Sequence, residues 1–148
     1  MAIEIIPVGT VRNSITDPGT RDWDQVISEI ELKEDMEPGL EQIEEFSHIN
    51  VLFWMNQLPE GKRSTIKVHP KARQDLPLVG VFATHSPARP NPIGLTTVKL
   101  LEHKKNVLKV IGLDAVNGTP VIDIKPYIPG HDDLADIITP EWVKELHQ

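Results

Sequence analysis

"GLTTVKLLEHKKNVLKVIGLDAV", residues 94–116, is the stretch of the chain that decides its fold. Two runs rich in aliphatic and β-branched residues flank the short polar segment "HKKN". Runs of this kind, separated by a few polar residues, are typical of a β-hairpin. The stretch therefore predicts two strands that pair antiparallel.

Further strands are predicted on both sides of this hairpin. Ser28, Ile30 and Leu32 alternate with polar residues in "DQVISEIELKED", residues 24–35, which predicts a half-buried strand. The nearly continuous apolar run "SHINVLFWMNQL", residues 47–58, predicts a strand buried on both faces. Strands are also expected in "IEIIPVGTVRNS" (3–14), where Pro7 favours an edge or a bulge, in "LVGVFAT" (78–84), and in "NGTPVIDIKPYIPG" (117–130), which opens with a tight-turn signal.

Two short helices complete the prediction. Pro38 opens the first, in "EPGLEQIEEF" (37–46). In the second, "TPEWVKELHQ" (139–148), Thr139 is the N-cap and Pro140 the first helical residue. Strands without regular intervening helices argue against a doubly wound nucleotide-binding fold. The expected fold is mainly β: an antiparallel, barrel-like sheet with two or more short helices, in a single domain over residues 1–148.

Composition limits the possible functions. No apolar run is long enough to cross a bilayer, no signal peptide is visible, and the chain lacks cysteine, so we expect a cytoplasmic protein. The six histidines do not have the tight spacing of metal ligands, and no metal is expected. The net charge of −7 argues against a surface that binds nucleic acid everywhere. The basic segment "EGKRSTIKVHPKAR", residues 60–73, is either a solvated loop or a local phosphate-binding patch.

A proline-rich loop, "THSPARPNPIG" at residues 84–94, carries candidate functional residues. Its prolines fix the backbone around Arg89 and Asn91 and lower the entropy cost of holding them in place. Gly94 permits a close approach of another group to the backbone. Two interpretations stay open: a binding site, or a stiff scaffold in which Arg89 caps a carbonyl.

A second rich stretch is "GLDAVNGTPVIDIKPY", residues 112–127. Asp114 precedes the tight turn at Asn117-Gly118, and Asp123 and Lys125 alternate along the strand that follows. The alternative interpretation is a hairpin with a surface ion pair, which contributes little stability.

Together, "GVFATHSPARPNPIGLTTVKL" (80–100), "LDAVNGTPVIDIKPY" (113–127) and "EEFSHINVLFWMNQ" (44–57) resemble the TsaA-like (YaeB, TrmO) family. The opening "IPVGTVRNS" (6–14) fits the family's start. The resemblance implies a barrel-like domain that binds S-adenosylmethionine and forms a homodimer. It further implies a methyltransferase acting on N6 of N6-threonylcarbamoyladenosine beside the tRNA anticodon.

The resemblance also implies site residues. Those expected to bind the donor are Thr20, Arg21, Asp22, Asn56, Gln57, His85, Leu95, Leu113, Asp114, Ala115 and Val116. Asp114 and Arg89 are the candidate catalytic residues, and either Asp114 or His85 accepts the proton of the acceptor nitrogen. Arg89 and Asn91 are expected to orient the substrate carboxylate, and Lys67, Lys71 and Arg73 to contact RNA phosphates.

The sequence departs from the family's pattern at two positions. His85 stands where relatives commonly have Arg, and Asn117 where they often have Asp. Bacterial relatives also carry a further C-terminal region. Two other functions therefore stay open: a module that binds S-adenosylmethionine without catalysis, and a methyltransferase for a small molecule or another RNA.

Overall fold

The computed structural model of the chain describes residues 1–147, with side chains to residue 146. The strands are β1 (Gly9–Arg12), β2 (Ile27–Leu32), β3 (His48–Trp54), β4 (Lys67–Val68), β5 (Val79–Gly80), β6 (Ile93–Lys104), β7 (Val107–Ile111) and β8 (Pro120–Pro126). Six of them form a closed barrel in the order β1-β2-β7-β6-β3-β8, and β4 pairs with β5 in a separate ribbon. All these pairs are antiparallel, and the predicted mainly-β barrel is confirmed.

The central hairpin is present as predicted. β6 and β7 are joined by Lys105 and Asn106, with Lys104 paired to Val107. Lys105 adopts φ 55°, the left-handed conformation that such a short connection requires. The Asn106 side chain donates to the carbonyl of Leu32 at 2.7 Å, which ties the turn to the end of β2.

The helical segments are all 3₁₀ helices within the described chain. They are Trp23–Gln25, Glu34–Leu40, Ile43–Glu45, Glu60–Ser64, Pro70–Ala72, Val81–Ala83 and Glu141–His147. The single helix predicted over residues 37–46 is wrong, because Gln42 at φ 72° separates two short segments. Pro38 lies inside the first of these segments instead of opening it. The last segment begins at Glu141, after the predicted cap, and Gln148 lies outside the described residues.

Three strand predictions need correction. β3 alternates buried and partly exposed residues instead of being buried on both faces, since one face of a barrel strand looks inward and the other outward. Of residues 3–14 only Gly9–Arg12 is a strand, and most of the preceding apolar residues are exposed. Of residues 78–84 only Val79–Gly80 is a strand, because the chain turns into a 3₁₀ helix at Val81.

The chain divides into two compact units. The first contains Met1–Asn56 and Ile93–Tyr127, and therefore the whole barrel. The second contains Gln57–Pro92 and the described residues from Ile128 onward. The expectation of a single domain stays a prediction.

The barrel core consists of inward-facing aliphatic residues from all six strands and one aromatic ring. Its strand residues include Val11, Ile30, Ile49, Val51, Phe53, Val98, Leu108, Val110 and Val121. Phe53 on β3 pairs with Gly94 on β6, and its ring lies directly over the glycine. A Cβ at position 94 would overlap that ring, so the close approach predicted for Gly94 is made by a side chain.

Replacing Gly94 with Ala is expected to lower the free energy of unfolding by about 1–3 kcal/mol, because the added methyl group displaces the Phe53 ring from a packed core. Urea denaturation measures this loss. Gly39→Ala is the matched control, since nothing lies within 4 Å of a Cβ built there. Equal stability of the two variants would contradict the packing.

Candidate functional site

An open stretch interrupts the pairing of β6 with β7. β6 has 12 residues and β7 has 5, and the pairing between them ends where Lys99 meets Ile111. Residues 93–98 of β6 continue beyond that point and pair only with β3. The chain that leaves β7 runs beside this unpaired edge, and we call residues 93–98 and 113–116 together the open seam.

The hydrogen-bonding direction of β6 follows from one contact. Leu100 N donates to Ser47 O at 2.9 Å, toward β3. Backbone groups of successive strand residues point to alternate edges, so those of Leu95 and Thr97 point away from β3. These groups therefore face the open seam, where no β7 residue pairs with them.

Residues 113–116 form the other side of the open seam. Gly112, at φ 99°, turns the chain out of β7. Leu113, Ala115 and Val116 are buried, whereas Asp114 is exposed. Thr96 Oγ1 donates to Asp114 Oδ1 at 2.5 Å, which fixes the carboxylate beside β6. Asp114 Oδ2 accepts no hydrogen bond from any residue that the structure describes.

Asn13 anchors this segment from the end of β1. Its side-chain nitrogen donates to Ala115 O and to the buried Ser28 Oγ, both at 2.9 Å. Its backbone N–H donates to Asn117 Oδ1 at 3.1 Å. Thr119 Oγ1 donates to Val116 O at 2.7 Å and closes the following turn. Hydrogen bonds from Asn13 and Thr119, and not strand pairing, therefore set the position of residues 113–117.

The remaining residues of the barrel unit that are predicted to bind S-adenosylmethionine lie on two loops. Thr20 donates from its N–H and its hydroxyl to Asp17 O, while Arg21 and Asp22 are exposed. Asn56 is exposed just after β3. Within the described residues, no hydrogen bond joins these four to the open seam.

Residues 84–92 of the proline-rich loop belong to the second unit, as does the exposed residue Gln57, and His85 in this part of the loop is exposed. Arg89 is half-buried and donates from Nη1 to Thr84 O at 2.9 Å and to Ser86 O at 3.1 Å. Its guanidinium carbon lies 5.9 Å from the centroid of the Phe82 ring. Arg89 thus performs the predicted scaffold role with one nitrogen, and its Nε and Nη2 donate to no other described residue.

Arg63 holds the other end of this loop. Its Nε donates to Pro90 O at 2.7 Å, and its Nη2 lies 3.4 Å from Asn91 Oδ1. Arg63 comes from the basic segment, where sequence alone indicates only a positive charge. Asn91 itself is exposed, and this contact orients its amide group.

Two of the three residues predicted to contact phosphates form hydrogen bonds within the second unit. Lys71 Nζ donates to Leu146 O at 2.5 Å, and Arg73 Nη1 to Glu145 O at 2.6 Å. Arg73 also pairs with both oxygens of Asp75 and holds the pKa of that carboxyl below its usual range. Lys67 is exposed on β4.

Sequence reasoning missed three residues of these sites: Asn13, Arg63 and Thr96. Thr96 lies inside the proline-linked motif, where its β-branched side chain indicates only a strand. Asn13 lies near the end of the strand predicted over residues 3–14, and an asparagine at that place is the one signal that the sequence offers.

Among residues 1–147 no group of three or more His, Asp or Glu side chains is placed to hold a metal ion. No helix in that range is long and apolar enough to cross a membrane.

The fold and its sites define a small antiparallel β-barrel with an open seam, together with a second unit that carries a rigid arginine loop. The tRNA-methyltransferase O N-terminal domain family matches residues 17–133. The chain belongs to this family, and the predicted membership is confirmed.

Relatives of the chain support the same conclusion. An S-adenosyl-L-methionine-binding protein of Archaeoglobus fulgidus is 41% identical over 130 residues, which cover 85% of this chain and 90% of that protein. The tRNA (adenine(37)-N6)-methyltransferase of Escherichia coli is 46% identical over 99 residues, covering 64% of this chain and 41% of that enzyme. The crystal structure of TrmO from Pseudomonas aeruginosa matches with a TM-score of 0.74 at 31% identity, covering 93% of this chain and 61% of that one. The chain thus spans less than two thirds of the bacterial proteins.

Replacing Asn13 with Ala is expected to lower the free energy of unfolding by about 1–3 kcal/mol, because it leaves Ser28 Oγ and Ala115 O without their donor. Hydrogen exchange of residues 113–118 is expected to accelerate. Urea denaturation and exchange mass spectrometry measure the two effects. An unchanged exchange rate in that segment would show that Asn13 does not anchor it.

Asn117 provides a separate test of the same anchor. Asn117→Asp keeps the oxygen that accepts from Asn13 N, and we expect stability within about 0.5 kcal/mol of the original. Asn117→Ala removes the acceptor and is expected to cost about 1 kcal/mol. Similar melting temperatures for the Ala and Asp variants would contradict this assignment.

Proposed function

We propose that the chain is an S-adenosylmethionine-dependent methyltransferase that acts on N6 of N6-threonylcarbamoyladenosine beside the tRNA anticodon. The observation that carries the proposal is the open seam, an exposed strand edge beside a fixed carboxylate in a barrel of the tRNA-methyltransferase O N-terminal domain family. Relatives named for binding S-adenosylmethionine and for methylating tRNA support it.

The residues of the open seam suit the adenosyl part of the donor. The outward backbone groups of Leu95 and Thr97 offer both donors and acceptors, as an adenine edge requires. The Leu95 side chain is 64% exposed and supplies apolar surface beside them. A few fixed polar groups next to apolar surface are typical of a small-molecule site.

The carboxylate of Asp114 suits a proton acceptor. S-adenosylmethionine supplies an electrophilic methyl group, so the protein needs no covalent nucleophile of its own. The acceptor nitrogen must lose a proton, and Asp114 Oδ2 is the oxygen left available by the bond from Thr96. His85 in the second unit stays the alternative base.

Arg89 suits the carboxylate of the threonylcarbamoyl group. Its Nη1 is fastened to the loop backbone, which leaves Nε and Nη2 as a fixed pair of parallel donors. A guanidinium edge of this kind binds a carboxylate through two hydrogen bonds. Asn91, oriented by Arg63, adds a neutral polar group on the same loop.

Phosphate contacts are proposed for Lys67, Lys71 and Arg73. Lys67 is exposed and available for such a contact, whereas Lys71 and Arg73 must exchange their carbonyl partners for phosphate oxygens.

The predicted homodimer and cytoplasmic location stay predictions. Light scattering of the purified protein tests whether the chain forms a homodimer.

Donor binding and catalysis are separable at Asp114. We expect calorimetry to show S-adenosylmethionine binding by the original protein and by Asp114→Asn. Methyl transfer to tRNA is expected to fall at least about 100-fold in the variant, because the amide cannot accept the proton. Asp35→Asn, an exposed carboxylate on a 3₁₀ helix, is the control. Full activity of Asp114→Asn would direct attention to His85.

The acceptor is tested by mass spectrometry of tRNA nucleosides from a deletion strain with and without the gene restored. The proposal expects the methylated threonylcarbamoyl nucleoside only in the restored strain. Donor binding without any new nucleoside would favour a non-catalytic module or a different substrate.

Arg89→Lys is expected to lower methyl transfer at least about tenfold, since Lys keeps the charge but loses the paired donors. Its melting temperature is expected to change little, because Arg63, Thr84 and Ser86 also hold the loop through hydrogen bonds. Activity and melting are measured on one preparation, with Arg12→Lys, an exposed barrel arginine, as control. A destabilised variant with full activity per folded molecule would assign Arg89 to the scaffold alone.

A further inference from the structure

Phe82 presents an aromatic ring to solvent from the second unit. It sits in the 3₁₀ helix Val81–Ala83 and is 80% exposed. Val81, the residue before it, is 1% exposed. The turn therefore buries one neighbouring side chain and displays the ring, an arrangement that loses the gain from burying an aromatic group.

The backbone beneath the ring is held in place. Thr84 donates to Val81 O twice, from its N–H at 3.1 Å and from its hydroxyl at 2.7 Å. Val81 N donates to Ile66 O at 2.9 Å, which joins the turn to the chain just before β4. The ring therefore projects from a fixed backbone turn and does not belong to the core cluster.

Arg89 stands behind one face of the ring. Its guanidinium carbon is 5.9 Å from the ring centroid, and two hydrogen bonds to loop carbonyls hold it there. The cation attracts the ring electrons and stiffens the arrangement. At 80% exposure, the ring still offers a flat apolar surface to a partner.

The surrounding charge identifies the class of partner. Arg89 lies against the ring, and the exposed Lys67 on β4 pairs with Gly80, two residues before Phe82. Residues 57–92 carry six Lys or Arg against two acidic residues, whereas residues 128–146 of the same unit carry one Lys against five acidic residues. An exposed aromatic ring on a locally cationic segment is the combination that binds single-stranded RNA, because unpaired bases stack on rings while cations meet phosphates.

We propose that Phe82 is a stacking platform for an unpaired base of the substrate RNA. The inference rests on the proposed function in that the substrate is RNA, and it adds a base contact that neither the carboxylate-binding nor the phosphate-binding residues supply. Because stacking is tolerant of base identity, Phe82 is expected to add affinity and to set the position of the loop, with little sequence preference.

The test compares Phe82→Leu with Phe82→Tyr. Leu keeps apolar surface but cannot stack, whereas Tyr keeps the ring. Affinity is measured for a single-stranded RNA oligonucleotide of about ten nucleotides and for a duplex of the same length, at several salt concentrations. Leu78→Ala, another exposed apolar position of the second unit, is the matched control. Calorimetry with S-adenosylmethionine runs in parallel on each variant.

We expect Phe82→Leu to weaken binding of the single strand about fivefold or more, with the salt dependence unchanged, since stacking releases no counterions. Phe82→Tyr and Leu78→Ala are expected to bind as the original protein does, and donor affinity is expected to stay the same in all variants.

Three results would overturn the inference: unchanged single-strand affinity in Phe82→Leu, no single-strand binding by the original protein, or a change of oligomeric state in Phe82→Leu that assigns the ring to a protein interface. Donor binding and the tRNA nucleoside assay decide the proposed function separately, so either hypothesis can fail alone.

Discussion

A strand of 12 residues paired with one of 5 is the constraint on which this structure depends. The barrel closes where β6 and β7 overlap, and beyond Ile111 it cannot, because β7 has no residues left to pair. Water or a ligand must satisfy the outward groups of Leu95 and Thr97. The open end therefore needs other support, which Asn13, Thr96 and the core packing of Phe53 on Gly94 provide.

Sequence patterns predicted those elements that depend on residues close together in the chain. The hairpin over 94–116 and the tight turn at Asn117-Gly118 follow from residues within a few positions of each other, and both are present. The unequal lengths of β6 and β7 were not predictable, because pairing with other strands decides where a strand ends. The helix expected over 37–46 failed at Gln42, since a left-handed residue in mid-segment has no signal in apolar spacing.

The candidate site divides in the same way. Leu95 and Asp114 stand in long motifs and could be named from resemblance, whereas Arg89 was indicated by the prolines that flank it. Asn13 meets Ala115 across 102 positions of sequence, and Arg63 meets Pro90 across 27. Contacts between residues so far apart in the chain cannot be recognised from the local sequence around either residue. The basic segment shows the same difficulty. Its positive charge is evident from the sequence, but the hydrogen bonds of Arg63, Lys71 and Arg73 within the second unit are not.

The two departures that the resemblance implies, at positions 85 and 117, have different physical weight. Asn117 uses its amide oxygen as an acceptor for Asn13 N, and an aspartate would offer the same oxygen, so the exchange removes a charge near Asp114 without changing the anchor. At position 85, histidine in place of the arginine that the resemblance leads us to expect exchanges a permanent guanidinium charge for an imidazole. The loop around it is held by Thr84, Ser86 and Arg89, which do not involve the His85 side chain. Position 85 is therefore able to vary in charge while the loop keeps its shape, so the departure bears on ligand electrostatics and not on folding.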